Sequence, residues 1–137
     1  MSIAQITPTF SVSGALTEAE FQALAVRGID TLINVRPDGE SAEQINSAQW
    51  HDLAKLHKMQ YRFMPVKPCE YSAQDIANFA VFLKQSHTSA HGFCRTGTRA
   101  IHLWALANKD TLSFDYMQDL AKQAGYDLNM IADRFKA

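Results

Sequence analysis

Through its first hundred residues the chain alternates short strand-like runs with longer stretches whose apolar positions recur at helical spacing, and this alternation leaves few ways to fold. The strand-like runs are Thr9 to Ser13, Thr31 to Val35, Tyr61 to Val66 and Ala90 to Phe93. Between the first two, Thr17-Glu18-Ala19-Glu20 makes a capping box, with Leu16 and Phe21 set as a hydrophobic staple, and opens a helix that runs to Arg27 before Gly28 ends it. Ile45, Leu53 and Leu56 keep helical spacing up to about His57. Ser72-Ala73-Gln74-Asp75 then caps a helix whose apolar face carries Ile76, Phe79 and Leu83. After Phe93 the alternation stops: Arg99 to Asn108, Ser113 to Ala124 (closed by Gly125) and Asn129 to Phe135 read as three helices in a row.

The pattern predicts an α/β fold with a mainly parallel sheet of four to five strands, flanked by helices and joined by right-handed crossovers. In such a sheet the loops after the strands gather at one edge. Arg36 to Glu40, Lys67 to Tyr71 and Cys94 to Arg99 are expected to meet there. At 137 residues, with 47% apolar and 20% charged positions and no composition break, residues 1–137 read as one domain.

A formal net charge of -1 supplies no long-range field to recruit nucleic acid or an acidic membrane, so a positive site must be local. No segment approaches the roughly 20 apolar residues of a membrane span, and Met1 to Gln5 lacks the basic and apolar runs of a leader. A cytoplasmic setting is the expectation, with Cys69 and Cys94 reduced. Five scattered histidines and two cysteines lack ligand spacing, so neither a metal nor a cofactor is called for.

Cys94-Arg95-Thr96-Gly97-Thr98-Arg99 carries the chemistry. A cysteine at the end of a buried strand is ordinarily one more small core residue. Here it is followed by a glycine able to take positive φ, by two arginines and by a helix start. The amides of Arg95, Thr96, Gly97, Thr98 and Arg99 can turn inward around an anion, helped by the partial positive charge of the helix terminus. Arg99 can hold two oxygens of a tetrahedral oxyanion in one plane, and the same field favours Cys94 as the nucleophilic thiolate.

The order of elements resembles the compact dual-specificity branch of the protein tyrosine phosphatases. Asn34-Val35-Arg36-Pro37-Asp38-Gly39-Glu40, together with the loop, resembles a bacterial phosphatase-like family found alone or fused to β-lactamase-like hydrolases and also labelled sulfurtransferase. The similarity runs from about Phe10 to Phe135. It implies a dual-specificity-phosphatase-like fold, a phosphorylated substrate or small oxyanion as partner, Cys94 as nucleophile and Arg99 as oxyanion clamp. The phosphatase signature has five residues between cysteine and arginine, whereas four separate Cys94 from Arg99, a spacing similar to rhodaneses. Phe93 stands where the family has histidine, and Ala100 where it has a hydroxyl residue.

In the phosphatases an aspartate on the loop before the last crossover helix protonates the leaving oxygen, and the residue nearest that position is Glu70. Glu70 reads equally as a solvated loop acid. Asp38 is an alternative acid and Arg36 a second anion contact, although Pro37-Asp38-Gly39 is also a plain turn sequence. Cys69 is a loop thiol that could face Cys94. His91 reads as a packed strand residue, and His102 as a partner for the back of the loop. Three activities follow as expectations: phosphomonoester hydrolysis through a cysteinyl phosphate, sulfur transfer through a Cys94 persulfide, and anion binding in a regulatory module of low activity.

Overall fold

The computed structural model describes residues 3–136. Its elements are β1 (Ala4–Thr7), β2 (Phe10–Ser13), α1 (Glu18–Val26), β3 (Thr31–Asn34), α2 (Ser47–Leu56), β4 (Gln60–Phe63), α3 (Ala73–Gln85), β5 (Ala90–Phe93), α4 (Thr98–Ala107), α5 (Phe114–Gln123) and a 3₁₀ helix, Asn129–Phe135. The strands form one sheet in the order β1-β2-β5-β3-β4, parallel except for β1, which runs antiparallel to β2. The expected α/β architecture is present.

Local chemistry explains the helix starts. Thr17 with Glu20, Asn46 with Gln49, and Ser72 with Asp75 each close a reciprocal capping box at α1, α2 and α3. Leu16 and Phe21 are buried in one cluster, as a staple requires. Helices cover both faces of the sheet. Phe21, Leu24, Trp50 and Ala54 from α1 and α2 pack with Leu32 and Phe93 on one face, while α3, α4, α5 and the 3₁₀ helix pack with Phe10, Val12 and Ile33 on the other. Strand alternation thus turns Phe93 to the first core and leaves Cys94 in the second.

The register sets where chemistry can occur. Phe93 pairs with Ser13 on one side and Asn34 on the other, so β2, β5 and β3 end level and release their loops at the same edge. Cys94 therefore leaves from the middle of the sheet. Gly92 lets α4 lie close, because a Cβ there would sit 3.3 Å from the Ala100 methyl and 3.4 Å from the Phe10 ring.

Two features depart from the sequence reading. The first is β1, a four-residue edge strand too short to show a clear period. The second is the last helix, which is 3₁₀: Ile131 N–H donates to Leu128 O over three residues, at 3.0 Å. Among the described residues no helix is long and apolar enough to cross a membrane.

Candidate active site

The loop after β5 is pinned on both flanks before it turns. Val35 N–H donates to Phe93 O at 3.1 Å, Cys94 N–H donates to Ser13 O at 3.4 Å, and Ala15 N–H donates to Arg95 O at 3.2 Å. Gly14 permits that last approach, since a Cβ there would meet Arg95 O at 2.9 Å. Gly97 adopts φ +96 and becomes the N-cap of α4, turning its amide back so that it donates to Cys94 Sγ at 3.1 Å. The Sγ atom, fully buried, thus receives a hydrogen bond at the positive end of a helix. Tyr126 closes the loop from outside, its hydroxyl donating to Thr96 O at 3.0 Å and its ring lying where a Gly97 side chain would project.

Beneath the loop lies a buried polar ladder. Ser13 Oγ donates to Gly14 O at 2.9 Å, which uses its one proton, so His91 Nε2 donates to Ser13 Oγ at 2.8 Å and Ser11 Oγ donates to His91 Nδ1 at 2.7 Å. Burial, with a smaller contribution from Arg27, lowers the His91 pKa to about 3 and keeps the ring neutral. Reading His91 as a packed strand residue agrees with this position, and its hydrogen bonds stiffen the strand beside Cys94.

Arg99 is the most constrained side chain of the site. Nη1 donates to Glu40 Oε2 at 2.8 Å and to Val66 O at 2.9 Å, and Nη2 donates to Glu40 Oε1 at 2.9 Å. Of the five guanidinium donors, the two left belong to Nη2 and Nε, which share one edge and can hold two oxygens of one anion. Glu40 also accepts from Arg36 Nε at 3.0 Å. Its hydrogen bonds to Arg99 first, and then to Arg36, hold the Glu40 carboxyl below the usual range, while the Glu40 contact raises the Arg99 pKa further with help from Cys94. Two guanidinium groups against one carboxylate leave the cluster net positive.

A cleft of about 430 Å³ opens over the loop, lined in part by Glu40, Cys69, Tyr71, Arg95, Thr98 and Arg99. The β3–α2 loop, the β4–α3 loop and the β5–α4 loop therefore meet, as the topology predicts. Arg95, Thr96, Gly97, Thr98 and Arg99 surround Cys94, and Arg36 joins them through Glu40. The two carboxylates expected as acids stand apart. Asp38 is exposed and accepts from Ser47 N–H at 2.8 Å, at the start of α2. Glu70 is exposed on the β4–α3 loop, and its side chain is not among those lining the cleft. Cys69 is exposed and lines the cleft. No group of three His, Cys, Asp or Glu residues able to hold a metal occurs among the described residues.

Sequence reasoning missed Glu40, Tyr71 and Tyr126 as site residues. Glu40 lies inside the Arg36 to Glu40 segment, and its four-residue spacing from Arg36 was the available signal. Tyr71 O–H and His102 Nδ1 are 2.9 Å apart at the cleft wall, so His102 pairs with Tyr71 rather than with the loop.

Residues 2–111 match the model of the phosphatase-like domain of beta-lactamase hydrolase-like proteins. Beta-lactamase hydrolase-like proteins from Xylella fastidiosa and Agrobacterium fabrum are 31% and 29% identical to the chain over 130 residues, or 93% of it, and the chain spans 30% of their length. A Neisseria meningitidis crystal structure described as a candidate phosphatase superposes with a TM-score of 0.87 and 27% identity, covering 99% of this chain and 97% of that one. The kinase-associated phosphatase shares the fold, with a TM-score of 0.69 and 12% identity over 98% of this chain and 94% of its own.

Proposed function

Since the chain belongs to the family of phosphatase-like domains of beta-lactamase hydrolase-like proteins, we propose that it hydrolyses phosphate monoesters through a cysteinyl phosphate on Cys94. The observation that carries this reading is the Gly97 N–H to Cys94 Sγ hydrogen bond at the start of α4, with Arg99 held at the same helix end by Glu40. A thiolate so held attacks phosphorus as the bond to the leaving oxygen breaks, and water then displaces the sulfur. The loop amides and the free edge of Arg99 hold the non-bridging oxygens, where positioning and fixed charge supply most of the rate. Glu40 acts through Arg99, and Arg36 acts through Glu40.

One observation favours a second reading. Four residues between Cys94 and Arg99 make a tighter cradle than five, and a tighter cradle suits sulfur transfer from a sulfane donor through a Cys94 persulfide.

The test is to assay the purified chain on p-nitrophenyl phosphate and on thiosulfate with cyanide, with intact mass of quenched samples. Release of nitrophenol, lost in Cys94→Ser, with a trapped phosphate adduct is the expected result. Sulfur transfer with a sulfur adduct would replace this reading with the second, and phosphate binding without turnover of either substrate would make the chain an anion-binding module.

A further inference from the structure

Resting on the phosphatase reading, we infer that Tyr71 and His102 form the proton relay of the reaction, with Tyr71 touching the leaving oxygen and His102 exchanging the proton behind it. The two residues come from different elements and meet at the cleft wall. Tyr71 ends the β4–α3 loop, and His102 lies one turn beyond Arg99 on the same face of α4. The Tyr71 hydroxyl and His102 Nδ1 are 2.9 Å apart, with the rings edge to face at 5.8 Å. Both residues are buried, at 5% and 1% exposed, and both line the cleft that contains Arg99, so their polar ends are screened from bulk water at its wall. Arg134 Nη1 donates to Tyr71 O at 3.0 Å and fixes the backbone from which the ring projects.

The surroundings suit a relay. Burial, and then the fields of Cys69 and Cys94, keep the Tyr71 hydroxyl protonated, against the Cys69 main chain and the Arg99 charge. His102 Nε2 is buried without a hydrogen bond of good geometry. Burial lowers the His102 pKa, and the Asp127 main chain beside the ring works against that by favouring the protonated form. The Asp127 carboxylate itself accepts from Gln118 Nε2 and from Asn129 N–H. Glu40, the carboxylate lining the cleft, is held ionised by Arg99 and Arg36, so it is a poor proton donor.

The steps balance. In the first, the sulfur–phosphorus bond forms and the phosphorus–oxygen bond breaks; the leaving oxygen takes the Tyr71 proton, and protonated His102 replaces it from Nδ1. In the second, a water oxygen bonds to phosphorus as sulfur leaves as thiolate; the water proton passes to Tyr71 while the Tyr71 proton returns to Nδ1. Nε2 keeps its proton throughout.

The test compares kcat/KM for phenyl phosphate, whose leaving group needs a proton, with that for 2,4-dinitrophenyl phosphate, whose leaving group does not. Tyr71→Phe and His102→Gln should each lower the phenyl phosphate value by about 100-fold and leave the dinitrophenyl value within about 3-fold. The wild-type phenyl phosphate value should fall as pH rises through the His102 pKa, below 6.5, and His102→Gln should lose that limb. Equal losses on both substrates, or a pH limb unchanged in His102→Gln, would mean a structural pair and overturn the relay. Wild-type protein inactive on the dinitrophenyl ester would overturn the phosphatase reading beneath it.

Discussion

Glu40 and Arg99, 59 positions apart, meet end to end through two hydrogen bonds of 2.8 and 2.9 Å. This contact orients the guanidinium while leaving one edge free. Glu40→Gln keeps the shape but removes the charge that faces two arginines. The expected result is a drop of 10- to 100-fold in kcat/KM for an aryl phosphate. Stability should fall by about 1–2 kcal/mol, less than for a fully buried pair because the Glu40 side chain is 25% exposed. Steady-state kinetics with urea melts would measure both, and a variant matching wild type in each would show that the contact does not position Arg99.

Gly97 is held at φ +96 directly beneath Tyr126. Gly97→Ala must adopt a left-handed backbone and also displace the tyrosine ring. A loss of about 2–4 kcal/mol is expected from these two effects together. Adding Tyr126→Ala should recover the steric part and not the backbone part, so the double variant should be more stable than additivity predicts. Additive behaviour in thermal melts would show that the ring does not press on the loop.

His91 gives the fold a specific acid sensitivity. Its pKa falls from 6.5 to about 3 on folding, so between those values the unfolded chain binds a proton that the folded chain does not. Stability should therefore rise with pH across this window and be lost progressively as pH drops below 6.5. Glu40 and Asp30, whose carboxyls are lowered, lose their contributions only at more acid pH, as pH falls through their folded values. Urea midpoints from pH 4 to 7 would follow the slope. His91→Gln should be less stable overall and flatter across that range; an unchanged slope would assign the acid sensitivity elsewhere.

Much of this was legible in the chain because it is written locally. The Thr17 and Ser72 caps, the alternation that makes a parallel sheet, and the strand–glycine–helix setting of Cys94 all depend on residues within one turn of each other. Glu40, Tyr71 and His102 depend on contacts across the sheet edge: Glu40 meets Arg99 from a segment that reads as a turn, and Tyr71 meets His102 over 31 positions. Asp38 likewise takes its place from a contact outside its own turn. Its carboxylate faces Ser47, nine residues on, and no local pattern distinguishes an acid beside a helix start from one beside a nucleophile. The edge strand β1 owes its existence to β2, against which Ala4 and Gln5 pair with Val12 and Ser11.

Tyr126 also makes the active loop a mechanical neighbour of the C-terminal segment. Its hydroxyl reaches Thr96 across 30 positions, and the 3₁₀ helix beyond it grips the β4–α3 loop through Arg134. These struts arrive after residue 111, outside the stretch that matches the family model. Attaching cargo by a stiff linker close behind Phe135 would pull on the Cys94 loop through these two contacts. Reporter tags therefore belong on a flexible tether.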